Sequence, residues 1–343
     1  MTHPSPQAFS QQIAVLIPCY NEEKTVAQVV RDFRAVLPMA MIYVYDNNST
    51  DQTTATAKEA GAIVCSEKYQ GKGNVMRRMF SDIDADVYVL VDGDNTYHAA
   101  SAPEMIDKLL SERLDMVVGT RLTANEGDDS FRRGHQFGNH LLTGFMSLIF
   151  GRQLTDMLSG YRVMSRRFVK SFPALSQGFE TETELTIHAL ELKMPIAEMV
   201  TPYGSRPEGS ESKLSTYRDG SRILLTIIAL FKKERPLTFF TILFCLLATL
   251  SIGLATPVLF TYAQTGLVPR FPTAILATGI MLLACLSLTC GLILDTVTHG
   301  RREMKRLRYL AIAAPEAGGG GGQIYCSTGE SHLSQQIHAG SSK

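Results

Sequence analysis

Asp92 and Asp94, with only Gly93 between them, close the apolar run Val87–Val91 and open the polar stretch Asp92-Gly93-Asp94-Asn95-Thr96. Two carboxylates around one flexible residue can converge on a hard divalent cation. Mg²⁺ or Mn²⁺ held this way completes its shell with water and phosphate oxygens. A solvated acidic turn is the plainer reading of the same residues. A helix-loop-helix calcium site is excluded: counted from Asp92, the sixth position is Tyr97, not glycine, and the twelfth is Pro103, not glutamate.

Other polar groups fit a diphosphate beside such a cation. Lys72 lies between Gly71 and Gly73, whose small size lets backbone approach a ligand while the ammonium supplies fixed charge. Asp46 can accept from a base N–H, or it can cap the Asn47-Asn48-Ser49 turn. Arg121 follows another apolar run. GxxxxGK[ST] and GxGxxG are both missing, which removes support for ATP hydrolysis and dinucleotide redox chemistry.

The elements that must position these residues follow from hydrophobic patterning. Short strands are expected at Ile13–Ile17, Met41–Tyr45, Ala62–Ser66, Val87–Val91 and Met116–Thr120. Helices are expected between them: one after Asn21 as N-cap, others from about Gln52 and Asn74, and one running from Pro103 to Arg113. Such alternation implies an α/β fold with an open parallel sheet covered on both faces, which binds ligands beyond the carboxyl ends of its strands. Every polar cluster named above falls at such an end.

Composition sets further bounds. The chain has 33 basic and 33 acidic residues, so it lacks the basic field of a nucleic-acid binder. Its six cysteines are scattered without a CxxC pair, against a disulfide framework or zinc site. The first dozen residues lack a signal pattern. Residues 237–262 and 271–294 are uncharged and long enough to cross a bilayer as helices, joined by a short link. Lys232, Lys233 and Arg235 precede the pair, and Arg301, Arg302, Lys305, Arg306 and Arg308 follow it. Basic flanks on both outer ends place the head and both termini in the cytoplasm. Leu141–Phe150 and Ile223–Phe231 are apolar enough to rest at the membrane surface, with Arg132 and Arg133 placed to meet lipid or acceptor phosphates.

Taken together, Pro18-Cys19-Tyr20-Asn21-Glu22-Glu23, Asp46 with Asn48-Ser49, Gly71-Lys72-Gly73 and Asp92-Gly93-Asp94 resemble inverting glycosyltransferases of family two with the GT-A fold. Asp156-Met157-Leu158-Ser159-Gly160-Tyr161-Arg162 and Gly209–Leu214 narrow the resemblance to polyprenyl-phosphate sugar transferases of the dolichyl-phosphate mannosyltransferase type. The resemblance implies a GT-A, Rossmann-like and mostly parallel sheet followed by a two-helix hairpin. It assigns Pro18, Tyr20, Glu22 and Asp46 to the nucleotide, Lys72, Arg206 and Lys213 to the donor site, and Asp92 and Asp94 to diphosphate and Mg²⁺ or Mn²⁺. Arg121 matches an acceptor-phosphate arginine, and Glu184 a recurring acid. Thr96 stands where a metal-contacting glutamine is common and His135 where a phosphate-contacting serine is.

The expected division is a disordered segment 1–12, a catalytic domain 13–213, an interfacial segment 214–235, a hairpin 236–298, a basic segment 299–314 and a disordered tail 315–343. The expected partners are a nucleotide-diphosphate sugar, a polyprenyl phosphate and the lipid bilayer; a homo-oligomer formed through the hairpins is compatible with the sequence. A lipid phosphate is already anionic at neutral pH, so it can attack the anomeric carbon directly and invert it. Glu184 is then an orienting group and not an obligatory base. The competing readings are a membrane-anchored family-two enzyme with another acceptor, a sugar nucleotidyltransferase, and a silent nucleotide-binding scaffold. The nucleotidyltransferase reading lacks its glycine-rich, basic amino-terminal loop, and the paired aspartates speak against the scaffold.

Overall fold

A computed structural model describes residues 9–123, 155–176, 180–204, 228–229 and 231–315. Strands β1 (Ile13–Cys19), β2 (Met41–Asp46), β3 (Ile63–Ser66), β4 (Val87–Leu90), β5 (Met116–Thr123), β6 (Arg162–Ser165) and β7 (Ile196–Tyr203) form one sheet in the order β3-β2-β1-β4-β6-β5-β7. Helices α1 (Val26–Val36), α2 (Thr53–Glu59), α3 (Lys72–Asp82), α4 (Ala102–Ser111), α5 (Arg166–Ser171) and α6 (Thr181–Glu191) connect and cover it. Successive side chains of β1 enter opposite cores, as a strand buried on both faces requires. Ile13, Val15 and Ile17 pack with Phe33 of α1 and Met105 of α4, whereas Ala14 and Leu16 pack with Met76 of α3, Phe168 of α5 and Leu185 of α6.

The sheet is mixed, not wholly parallel. Strand β6 runs antiparallel to both β4 and β5 and separates them. Because β6 reverses direction against each neighbour, β4 and β5 still point the same way. Leu90 and Val118 are both level with Arg162, so Asp92 and Arg121 overhang the same edge from strands two places apart. That spacing amounts to about 10 Å across the sheet.

Two boundaries differ from the sequence expectation. Asn21 does not cap α1: it adopts a left-handed backbone (φ 54°), and its Oδ1 accepts from the Thr50 N–H at 2.8 Å. Thr25 occupies the cap position instead. Helix α3 begins at Lys72, two residues before Asn74, with Gly71 at φ 129° as its entry.

Helices α7 (Pro236–Thr265) and α8 (Phe271–Leu310) form the carboxyl-terminal hairpin. Only 6 % and 22 % of their most apolar windows are buried, so they are not core helices of the head. Their contact face is built from small residues. A Cβ on Gly291 would lie 2.8 Å from Phe240 Cβ, and Ser251 donates to the Ala277 carbonyl at 2.7 Å. Helix α8 runs beyond residue 294 to Leu310, so the basic stretch is a helical extension of the second apolar helix. It docks on the head: Arg302 and Lys305 bind Glu191, and Tyr309 donates to Asp115 at 2.8 Å.

Candidate active site

The loops after β1 and β2 lock together at the carboxyl edge. Asn21 N–H donates to Ser49 Oγ at 2.8 Å, Glu22 N–H to Thr53 Oγ1 at 2.8 Å, and Gln52 N–H to Glu23 at 2.9 Å. Pro18, Tyr20 and Glu22 therefore line one fixed rim. Asp46, at the end of β2, is 6 % exposed. Its Oδ2 accepts from Ser49 N–H at 3.2 Å, while its Oδ1 is buried without a hydrogen-bond partner among the described residues. The turn role and the vacant acceptor thus coexist on one carboxylate. Asn47, the first residue of that turn, holds the next loop. Its amide donates to the carbonyls of Glu67 and Tyr69, and its Oδ1 receives Gly71 N–H at 2.7 Å.

Lys72 is the electrostatic centre. Its Nζ lies 2.5 Å from Asp92 Oδ1 and also contacts Glu182 Oε1. Burial alone would lower the lysine pKa, but the charges of Asp92 and Glu182 outweigh it and hold the ammonium above its ordinary value. Gly73 cannot carry a side chain, since a Cβ there would sit 2.2 Å from the Ser176 carbonyl oxygen. Asp94 is 5 % exposed and accepts from Thr96 Oγ1 at 2.7 Å. The Thr96 hydroxyl thus orients the second aspartate; its proton is committed there.

Glu184 lies in the first turn of α6 and accepts from Leu175 N–H (3.1 Å), Ser176 N–H (2.9 Å) and Ser176 Oγ (2.6 Å). The acid that reaches Lys72 is Glu182. Two residues on a helix diverge by about 200°, so only one of this pair can face the rim. Glu184 contributes indirectly, by fixing the loop pressed against Gly73.

Arg121 projects from β5 and binds Asp156 through both Nε (2.7 Å) and Nη2 (2.8 Å), lying 5.7 Å from the Tyr203 ring centroid. Burial would depress its pKa, but the Asp156 hydrogen bonds keep it raised and the guanidinium charged. The segment from Asp156 to Arg162 joins this group to the aspartates. Ser159 Oγ donates to Gly119 O at 2.6 Å, and Gly160 N–H donates to Tyr97 Oη at 2.9 Å. A Cβ on Gly160 would lie 2.3 Å from Asp92 Oδ2. Arg162 is wholly buried and braces the segment through the Ser159 and Met157 carbonyls and Thr186 Oγ1. The structure thus brings Asp46, Lys72, Asp92, Asp94 and Arg121 to one edge. Arg132, His135, Arg206, Lys213 and the stretch Leu141–Phe150 lie outside the described residues.

Residues 14–172 match the family described as glycosyl transferase family 2. Glycosyltransferase AglJ of Haloferax volcanii is 33 % identical over 310 residues, spanning 90 % of this chain and 99 % of that protein. The chain belongs to glycosyltransferase family 2. A dolichyl-phosphate hexose transferase of the same organism is 27 % identical, across 65 % of this chain and 95 % of that one. Among solved structures, Mycobacterium tuberculosis glucosyl-3-phosphoglycerate synthase superposes with TM-score 0.51 at 24 % identity, covering 64 % of this chain and 81 % of that one. The shared fold is GT-A, and the paired aspartates, Lys72 and Arg121 lie at the carboxyl edge of its sheet.

Proposed function

We propose that this glycosyltransferase moves a sugar from a nucleotide diphosphate to a polyprenyl phosphate at the cytoplasmic membrane face, with inversion at the anomeric carbon. The observation that carries the proposal is one edge holding a vacant buried acceptor (Asp46), two aspartates, a buried ammonium and a fixed guanidinium, on a head fused to two exposed apolar helices. The names of its relatives, which include a dolichyl-phosphate hexose transferase, support the acceptor class. UDP-glucose or UDP-N-acetylglucosamine is favoured over GDP-mannose, in keeping with the UDP and Mn²⁺ in crystals of the mycobacterial synthase.

Two aspartates from one strand exit form a donor set suited to Mg²⁺ or Mn²⁺, which complete their shells with phosphate and water. When bound, the cation would neutralise the departing diphosphate. The protein's own residues do the rest. Asp46 Oδ1 accepts from the base, Lys72 sets a positive charge beside the diphosphate, and Arg121 orients the acceptor phosphate. That phosphate needs no deprotonation, so catalysis rests on alignment and charge stabilisation. Glu184 acts at one remove. The residues outside the described set, Arg132 and His135 for the acceptor and Arg206 and Lys213 for the donor, complete the proposed site.

The basic flanks of the hairpin support a head and both termini on the cytoplasmic side. Membranes containing the protein, supplied with labelled donors and short polyprenyl phosphates, are expected to form a lipid-phosphate sugar only with divalent cation present. Asp94→Ala is expected to abolish it without unfolding the head. A product that does not partition into organic solvent would overturn the acceptor assignment.

A further inference from the structure

Lys72 and a divalent cation compete for the same carboxylate. Lys72 Nζ already sits on Asp92 Oδ1, and an ammonium and a dication on one aspartate repel. A buried ammonium that simply lost its partner would be left uncompensated, which is costly. The molecule has an answer at hand. Glu182, at the first turn of α6, also contacts Lys72, and its second oxygen is buried with no hydrogen-bond partner among the described residues. That oxygen is spare acceptor capacity beside a donor with three N–H bonds.

We propose that Glu182 is a positioning residue that retains Lys72 when Asp92 takes up a cation, so that the cation and the ammonium occupy the donor site together. The inference rests on the proposed metal-dependent reading and deepens it. Glu182 acts through Lys72, which its Oε1 contacts. Its placement is enforced by the surroundings: Gly73 is pressed against Ser176 and Thr181, which fixes the start of α3 against the start of α6.

The test is equilibrium Mn²⁺ binding to the full-length protein in detergent, read from the free-ion electron paramagnetic resonance signal without donor. Four proteins are compared: wild type, Glu182→Gln, Lys72→Met and the double variant. With Lys72 present, Glu182→Gln leaves the ammonium on Asp92 alone, and Mn²⁺ affinity is expected to fall about tenfold or more. In the Lys72→Met background the same change is expected to alter affinity less than about twofold, since no ammonium competes. Recovery of binding in the double variant also shows that Glu182→Gln folds. Equal weakening in both backgrounds would mean that Glu182 acts as a remote charge or a fold element, and would overturn the proposal. So would an unchanged affinity in Glu182→Gln. The underlying metal reading fails separately, if wild type binds no Mn²⁺ or if Asp92→Asn with Asp94→Asn binds it as well as wild type.

Discussion

Gly160 illustrates how one atom governs this site. Its Cα lies so close to Asp92 that an added Cβ would fall 2.3 Å from Oδ2. Gly160→Ala must therefore displace the carboxylate that Lys72 grips. Misplacement on the scale of 1 Å costs roughly a hundredfold in rate, so turnover is expected to fall by about that factor while the melting temperature moves little. Wild-type turnover in that variant would show that Asp92 tolerates displacement. His188 is the second case. It is 1 % exposed and packed edge-on against Phe168 and Phe172. Burial, aided by Lys305, lowers its pKa to about 3. Below its ordinary value of 6.5 the unfolded chain binds a proton that the folded one refuses, so stability drops as pH falls from 6.5 toward 3 and is unaffected above 7. From pH 6.5 to 5, wild type is expected to lose about 1.6 kcal/mol relative to His188→Phe, measured by unfolding of the two proteins at each pH. Parallel curves would refute the assignment. At this scale the sequence was readable where residues cluster at strand exits, as with Asp46, Lys72, Asp92 and Asp94. It was not readable for Glu182 against Glu184, because the choice depends on which helix face meets Lys72.

At the scale of elements, the difference lies in β6 and α8. The strand Arg162–Ser165 is four residues long and starts with a fully buried arginine, so no apolar run announces it. Its insertion between β4 and β5 is a non-local event, fixed by Arg162 bracing Ser159 and Met157. The regular strands β1, β2 and β4 were legible because burial on both faces leaves continuous apolar runs. Helix α8 was legible only as far as its apolar part. Beyond it, charges that look solvated in sequence are paired with buried acids: the Glu191 side chain is 1 % exposed and held by Arg302 (3.1 Å) and Lys305 (2.6 Å). Removing both cations strands that carboxylate. Arg302→Ala with Lys305→Ala is expected to destabilise the head by about 3–5 kcal/mol, seen as a lower denaturation midpoint. Adding Glu191→Gln should recover part of the loss, because the uncompensated charge is then gone. A double variant as stable as wild type would mean that the pairs are ornamental.

For the whole molecule, the extension of α8 makes the hairpin and the head mechanically continuous. Tyr309 reaches Asp115, which is fully buried and also held by Arg167 and Ser165, and the Arg167 guanidinium lies 4.8 Å from the Tyr309 ring centroid. On the proposed function, such a strut matters if the acceptor is confined to the bilayer, since it would fix the height and tilt of the carboxyl edge relative to the lipid. Gly300 sits on that strut, and a Cβ there would meet nothing within 4 Å, so a substitution acts through the helix backbone alone. Gly300→Pro removes one helical hydrogen bond and kinks the rod. On the proposed function, transfer to a long polyprenyl phosphate in a bilayer should fall about tenfold or more, as loss of alignment predicts. Transfer to a short prenyl phosphate dispersed in detergent should change less than about twofold, because that acceptor can diffuse to the site in any orientation. Equal losses on both acceptors would show that the kink damages the site itself, and equal retention would show that the head works as a tethered domain whose angle to the membrane is immaterial.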